Sequence, residues 1–304
     1  MKNVLLAAPL SAAFRDALLQ SGYTFITPEQ SATDSSGIEG IVTSNKLRLR
    51  AEVLDRFPKL RWIARLGSGM EIIDTGWCAA HNIACFSSPA GIADSVGEHT
   101  LGLLLGLLHR IPNSMQEIQE GQWIREANRG HELGRLCVGL IGYGHTGQAV
   151  AKRLSAFTPH IVAYDKYRSG FGNETVREVS LQALQEEADV VSFHVPLQED
   201  TQHYYNQSFL HGMKKAHYLL NVSRGAVCAT PVILGGLESG KILGAGLDVL
   251  EEEADIEEIL RQPENTVQRL LRHRVVLTPH IAGYSHEAIE KMSEELLNQL
   301  RPIL

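Results

Sequence analysis

The chain has 304 residues, 44% of them hydrophobic and 21% charged, an ordinary balance for a globular protein with a sizeable core. Its length favours two domains, because single cores rarely grow past roughly 250 to 300 residues. With 28 Lys and Arg against 35 Asp and Glu, the net charge of −7 argues against nucleic acid or an anionic membrane surface as the main partner.

The amino terminus, "MKNVLLAAPL", carries one lysine and a short apolar run broken by Pro9, so a first strand is expected rather than a secretion signal. Strands are expected at 4–8, 40–44, 61–66, 137–142, 160–165, 189–195, 218–223, 244–250 and 274–278. Most are separated by 10 to 25 residues with helical spacing, an alternation that predicts parallel sheets in an α/β protein. The longest apolar helix is expected around 94–111, bridging a first α/β unit and a dinucleotide-type unit. Its core "LGLLLGLL" (101–108) is too short to span a bilayer. Four scattered cysteines, 78, 85, 137 and 228, form no CxxC pair and fit a reduced, cytoplasmic setting.

"CVGLIGYGHTGQAVAKRL" sets Gly142, Gly144 and Gly147 in GxGxxG spacing between a strand and a helix. The first glycine permits the turn, the second lets the backbone approach a pyrophosphate, and the third lets the helix pack on the strand. Asp165 ends the next strand, 18 residues after Gly147, where a carboxylate accepts from both ribose hydroxyls and disfavours a 2′-phosphate. Dinucleotide binding with NAD as cofactor is the expectation; Arg168 nearby slightly weakens only the preference for NAD over NADP.

Three further residues fall at expected strand ends, where ligands bind in open α/β sheets. Arg224 offers a planar fork for a carboxylate. Glu253 closes the acidic run "LDVLEEE", in which Glu251 and Glu252 are expected to be solvated. His280 follows "LTP", and a carboxylate on one ring nitrogen would fix its tautomer and leave the other nitrogen for proton transfer. Proton transfer of that kind, beside a hydride acceptor, is what reversible oxidation of a secondary alcohol requires. A zinc site at His280 and His286 lacks a third ligand at metal spacing, so no metal is expected; His286 reads as a helix-surface residue.

Seven ordered motifs span nearly the whole chain: "ARLGSGMEIID" (64–74), "SSPAGIADSVGEHTLGLLLGL" (87–107), "VGLIGYGHTGQAVAKRL" (138–154), "HVPLQEDT" (194–201), "LNVSRGAV" (220–227), "GAGLDVLEEE" (244–253) and "LTPHIAG" (277–283). On these the chain resembles the NAD-dependent D-2-hydroxyacid dehydrogenases, especially phosphoglycerate dehydrogenase-like members. The resemblance implies two doubly wound parallel-sheet domains: a Rossmann-type NAD domain (94–283) inserted in a flavodoxin-like substrate domain (1–93 with 284–304). It implies hydride transfer between NAD(H) and a D-2-hydroxy or 2-oxo acid, with 3-phosphoglycerate among the candidates.

By position, Arg224 would bind the substrate carboxylate, and Glu253 and His280 would form the catalytic pair with His280 as acid. The amides of Ser68 and Gly69 would also hold the carboxylate. His145 and Thr146 would join the glycines at the phosphates, with His194, Val195 and Pro196 near the adenine. Val222, Ser223, Asp248 and Gly283 would complete the cofactor contacts. A homodimer is implied, with contacts around 99–111 and "GQWIREANRG".

Two departures from the family pattern stand out. Phosphoglycerate enzymes often carry an arginine where this chain has Thr43, so a substrate phosphate would need Lys46, Arg48 or a partner's Arg125. Only 24 residues follow His280, so the regulatory domain of some relatives, and feedback through it, is not expected. The alternative reading is a non-catalytic, NAD(H)-sensing binding protein of corepressor type on the same scaffold.

Overall fold

The computed structural model describes residues 2–304 apart from 34 and 46, with the backbone alone at 254. Lys46, considered above as a phosphate ligand, lies outside the described residues. Contacts divide the chain into two compact units, Met1–Asp94 with Gly283–Leu304, and Ser95–Ala282. Asp94 and Gly283 therefore belong to the first unit.

In the first unit, β1 (Lys2–Leu6), β2 (Tyr23–Ile26), β3 (Ile38–Thr43), β4 (Trp62–Arg65) and β5 (Ala84–Ser87) form a parallel sheet in the order β2-β1-β3-β4-β5. This is the flavodoxin-like order. A Cβ at Gly40 would lie 2.2 Å from the Trp62 ring, so that glycine makes room for the indole. The indole N–H donates to the Tyr23 hydroxyl at 3.1 Å.

The helix His286–Leu300 belongs to this unit because its apolar residues recur at helical spacing. Ala288, Met292, Leu296 and Leu300 form one stripe, buried with Phe14, Leu18 and Trp62. Each buried Leu or Met of this stripe contributes about 1.5–3 kcal/mol, and Ala288 less. Ser285 caps the helix by accepting the Ala288 N–H at 3.1 Å. His286 is its exposed first residue.

The second unit holds β6 (Val138–Ile141), β7 (Ile161–Tyr164), β8 (Val176–Glu178), β9 (Val190–Phe193), β10 (His217–Asn221), β11 (Ile242–Leu247) and β12 (Val275–Leu277). All pair in parallel, in the order β12-β11-β10-β9-β6-β7-β8. Strands β6, β9 and β10 are buried throughout and mostly apolar, as strands of a parallel sheet covered on both faces are; Ser192, His217 and Asn221 are the polar residues among them. The chain leaves β6 to one side for β7 and returns on the other for β9. Their carboxyl ends form a topological switch point, where such sheets bind ligands.

Three strands escaped the sequence reading: β2, β5 and β8. The strands that were expected run one to three residues shorter than anticipated at their carboxyl ends. The long helix runs Pro89–Leu108, not 94–111, and a second helix begins at Ile111. Pro89, at the first position of the long helix, suits a helix start, where no N–H is needed.

Candidate active site

At the switch point, β6 ends in the glycine loop. Gly142 has φ +91, a left-handed backbone that favours glycine, and a Cβ there would lie 2.6 Å from the His194 carbonyl oxygen. At Gly147 a Cβ would approach the Gly142 carbonyl oxygen to 2.3 Å, so the helix His145–Leu154 sits directly on the turn. Gly144, the residue before that helix, differs: a Cβ there would meet nothing within 4 Å. Its missing side chain leaves open space beside the helix N-terminus, where unpaired amides and the helix dipole favour an anion. His145 is exposed and Thr146 half-buried at the same end.

Asp165 follows β7, and its carboxylate accepts the N–H groups of Tyr143 (2.8 Å), Tyr167 (2.9 Å) and Arg168 (3.0 Å). The Arg168 guanidinium donates to the Tyr143 carbonyl at 2.6 Å. Asp165 thus ties the glycine loop to its own turn, a bond that spacing alone did not reveal. It also lines an open cavity of about 550 Å³, together with Lys166, Tyr167 and Arg168. Lys166 and the Tyr167 hydroxyl both donate to Asp200, each at 2.6 Å.

His194, after β9, is buried, and desolvation pushes it down to about 3, so its ring is neutral. Its Nε2 lies 2.8 Å from the Ser192 hydroxyl, while the buried Nδ1 has no hydrogen-bond partner among the described residues. Val195 also faces the glycine loop: its Cγ1 would lie 2.9 Å from a Cβ at Gly142. The Pro196 carbonyl accepts the Thr201 hydroxyl at 2.6 Å. An open glycine face at a helix N-terminus, an acidic turn after the next strand and an orphaned buried nitrogen suit a dinucleotide.

At the end of β10, Asn221 organises the turn that presents Arg224. Its side-chain oxygen accepts the Ser223 N–H (3.1 Å) and hydroxyl (2.8 Å), and its amide donates to the Arg224 carbonyl (2.9 Å). Val222 and Ser223 are buried in the turn, and the Arg224 guanidinium donates to the Ser223 carbonyl at 2.7 Å.

His280 Nδ1 lies 2.6 Å from Glu253 Oε1, so a single carboxylate orients the ring. The histidine's φ is +55, a strained conformation for a residue with a Cβ, costing about 1–3 kcal/mol. Asp248 holds it there. Its carbonyl accepts the His280 N–H (2.8 Å), and its carboxylate accepts the N–H groups of Ile281 (2.9 Å) and Ala282 (2.8 Å) and the Thr278 hydroxyl (2.6 Å). That carboxylate is 1% exposed, with His99 Nε2 at 3.5 Å. The ring of His280 keeps Nε2 without a hydrogen bond among the described residues.

In the first unit, Ser68 and Gly69 follow β4, half-buried, and among the described residues neither amide donates a hydrogen bond. Adjacent unpaired amides suit a carboxylate. Arg65, which the sequence reading passed over, is 2% exposed beneath this loop and donates to the Asn45 side chain. A Cβ at Gly67 would lie 2.1 Å from its guanidinium.

One expectation is corrected. Glu251 is not a solvated member of the acidic run: its carboxylate bonds the His203 ring and accepts the Thr230 N–H at 3.1 Å. Glu252 accepts the Thr230 hydroxyl at 3.3 Å. Among the described residues no cluster of three His, Cys, Asp or Glu side chains could hold a metal ion, and no helix is long and apolar enough to cross a membrane.

A parallel sheet with a dinucleotide loop at its switch point and a carboxylate–imidazole pair at its carboxyl end defines a nicotinamide-dependent oxidoreductase. Residues 101–282 match the family described as D-isomer specific 2-hydroxyacid dehydrogenase, NAD binding domain. The chain is 34% identical over 266 residues to the hydroxypyruvate reductase of Thermotoga maritima, covering 86% of this chain and 84% of the relative. It is 36% identical over 265 residues to the glyoxylate reductase of Thermofilum pendens, covering 84% and 76%. The D-lactate dehydrogenase of Aquifex aeolicus, solved with NAD and lactic acid, superposes with a TM-score of 0.83 at 27% identity, over 98% of this chain and 94% of that one. The chain belongs to the D-isomer-specific 2-hydroxyacid dehydrogenase family. It is an NAD-dependent oxidoreductase of 2-hydroxy and 2-oxo acids, a reading that fits better than a non-catalytic sensing protein.

Proposed function

We propose that the chain reduces a small, unphosphorylated 2-oxo acid of the glyoxylate or hydroxypyruvate class to its D-2-hydroxy acid. The observation that carries this reading is the 2.6 Å bond between Glu253 and His280 at the carboxyl end of the sheet that bears the glycine loop. Bound there, NADH supplies the hydride. Arg224 holds the substrate carboxylate, and its guanidinium polarises the reacting carbonyl; within the first unit, the unpaired amides of Ser68 and Gly69 are the donors suited to a carboxylate. His280 Nε2 gives the proton to the carbonyl oxygen as it becomes an alkoxide, while Glu253 on Nδ1 stabilises the imidazolium before transfer. Asp165 meets the ribose. His194, Val195 and Pro196 lie on the adenine side, and Val222, Ser223, Asp248 and Gly283 toward the nicotinamide. Residues 95–282 thus act as the NAD domain, and 1–94 with 283–304 as the substrate domain.

Two observations favour an unphosphorylated substrate over 3-phosphoglycerate. Thr43 is fully buried and its hydroxyl turns to the Ser44 carbonyl at 3.3 Å, so this position supplies no cation. The relatives reported above are named for hydroxypyruvate and glyoxylate. Comparing kcat/KM for glyoxylate, hydroxypyruvate and phosphohydroxypyruvate tests the choice, and preference for the phosphorylated acid would reverse it.

A homodimer in the cytoplasm completes the proposal. The helix Ile111–Gln119 exposes Ile111 (54%), Met115 (60%) and Ile118 (55%) on one face, with Trp123 (86%) beyond it. Such a patch calls for a partner, and a second copy supplies one. Sedimentation at low concentration reads this directly, and a monomer would refute it.

A further inference from the structure

Besides Glu253–His280, the second unit contains another carboxylate–imidazole pair, Glu251–His203, which the proposed reaction does not use. Its partners are informative. One oxygen of Glu251 bonds His203 Nε2, and the other accepts the N–H of Thr230 at 3.1 Å. The His203 N–H donates to the Ala226 carbonyl at 2.7 Å, and the Tyr205 N–H to the Val227 carbonyl at 3.0 Å. Residues 203–205 are thereby laced to the turn that follows Arg224. His203 has φ +50, a left-handed backbone held although the residue is not glycine.

On the other side, Leu250 and Glu251 press against that same turn. A Cβ at Gly225 would lie 1.8 Å from the Leu250 carbonyl oxygen and 2.5 Å from the Glu251 nitrogen. Glu252 adds the Thr230 hydroxyl bond at 3.3 Å. Glu251 is therefore the joint between the Arg224 turn, the 203–205 segment and the loop that carries Glu253 two residues later. Burial raises its carboxyl, but the Thr230 N–H and the His203 ring outweigh that and hold it below the usual range.

We infer that Glu251 and His203 are positioning residues for the reaction: by pinning the 250–253 loop to the Arg224 turn, they set Glu253 on His280. The inference rests on the roles proposed above for Glu253 and His280. Neither Glu251 nor His203 touches the reacting atoms. A misplacement of about 1 Å in a catalytic constellation costs on the order of 100-fold in rate.

The test is a double-mutant cycle on purified, full-length protein with NADH and the best 2-oxo acid. Glu251→Ala is expected to lower kcat about 30-fold while KM for NADH stays within about 2-fold. Glu251→Gln, which can still accept from Thr230 and bond His203, is expected to recover most of that loss. In the Glu253→Ala background, adding Glu251→Ala should cost almost nothing, because both act through one carboxylate. His203→Asn tolerates the left-handed backbone, cuts the same joint from its exposed side, and serves if Glu251→Ala does not fold. Full additivity of the two losses, or wild-type kcat in both Glu251→Ala and His203→Asn, would overturn the inference alone. Wild-type kcat in Glu253→Ala would overturn the proposed roles, and this inference with them.

Discussion

Acid should destabilise the second unit through two buried histidines. His217 on β10 is fully buried, with Nε2 2.9 Å from the Tyr205 hydroxyl, and desolvation lowers it from 6.5 to about 4. His194 is lowered by the same cause to about 3. Both stay neutral in the fold at pH values where the unfolded chain takes up protons. The unfolded state therefore binds more protons, and stability rises with pH in this window. Each contribution is fully present above 6.5 and is lost as pH falls toward 4 for His217 and 3 for His194.

The deficit grows by about 1.4 kcal/mol per pH unit and reaches about 2 kcal/mol per histidine at pH 5. Two histidines give about 4 kcal/mol, a large share of a typical 5–15 kcal/mol. Other carboxylates and histidines add to the total slope, so the informative quantity is a difference. His217→Gln keeps a hydrogen-bonding group near Tyr205 and cannot titrate. Urea unfolding at about pH 7.5 and about pH 5 should show the variant losing about 2 kcal/mol less than the wild type on acidification. Equal losses would refute the burial argument for His217.

The glycine loop and the acidic turn give two further tests. Gly144→Ala has room for its Cβ, so it should melt within about 2 °C of the wild type yet bind NADH at least about 10-fold more weakly by fluorescence titration. Gly147→Ala drives a Cβ to 2.3 Å from the Gly142 carbonyl oxygen and should instead destabilise the fold by about 1–3 kcal/mol. Asp165→Ala removes the carboxylate that accepts from three N–H groups, as well as the ribose partner. The ratio of kcat/KM with NADH to that with NADPH should fall at least about 10-fold, while KM for NADH rises. An unchanged ratio would remove Asp165 from the ribose site.

What the sequence made legible depended on how local the physical signal was. The spacing of Gly142, Gly144 and Gly147 shows because each glycine answers a short-range need, namely a left-handed turn, an open face and a close helix. The short strands β2 and β8 stayed hidden because Thr24 in one and Arg177 and Glu178 in the other break the apolar signal, whereas β12, equally short, is wholly apolar. Three adjacent glutamates at 251–253 are chemically alike in sequence. Only the fold sends Glu251 to His203, Glu252 to Thr230 and Glu253 to His280. Arg65 was overlooked because a charged residue at a strand end reads as surface, whereas its neighbours on β3 and in the 67–69 loop bury it. The clamp of Asp248 on the His280 loop joins residues more than 30 positions apart, beyond any local pattern.

The most direct measurement follows NADH loss by absorbance with glyoxylate, hydroxypyruvate, phosphohydroxypyruvate and pyruvate, for the wild type and for His280→Gln. Turnover by the wild type, fastest on an unphosphorylated acid, is expected to fall at least about 1,000-fold in the variant while NADH still binds. Comparable turnover by His280→Gln, or a wild type that binds NADH and reduces none of these acids, would contradict the proposed chemistry.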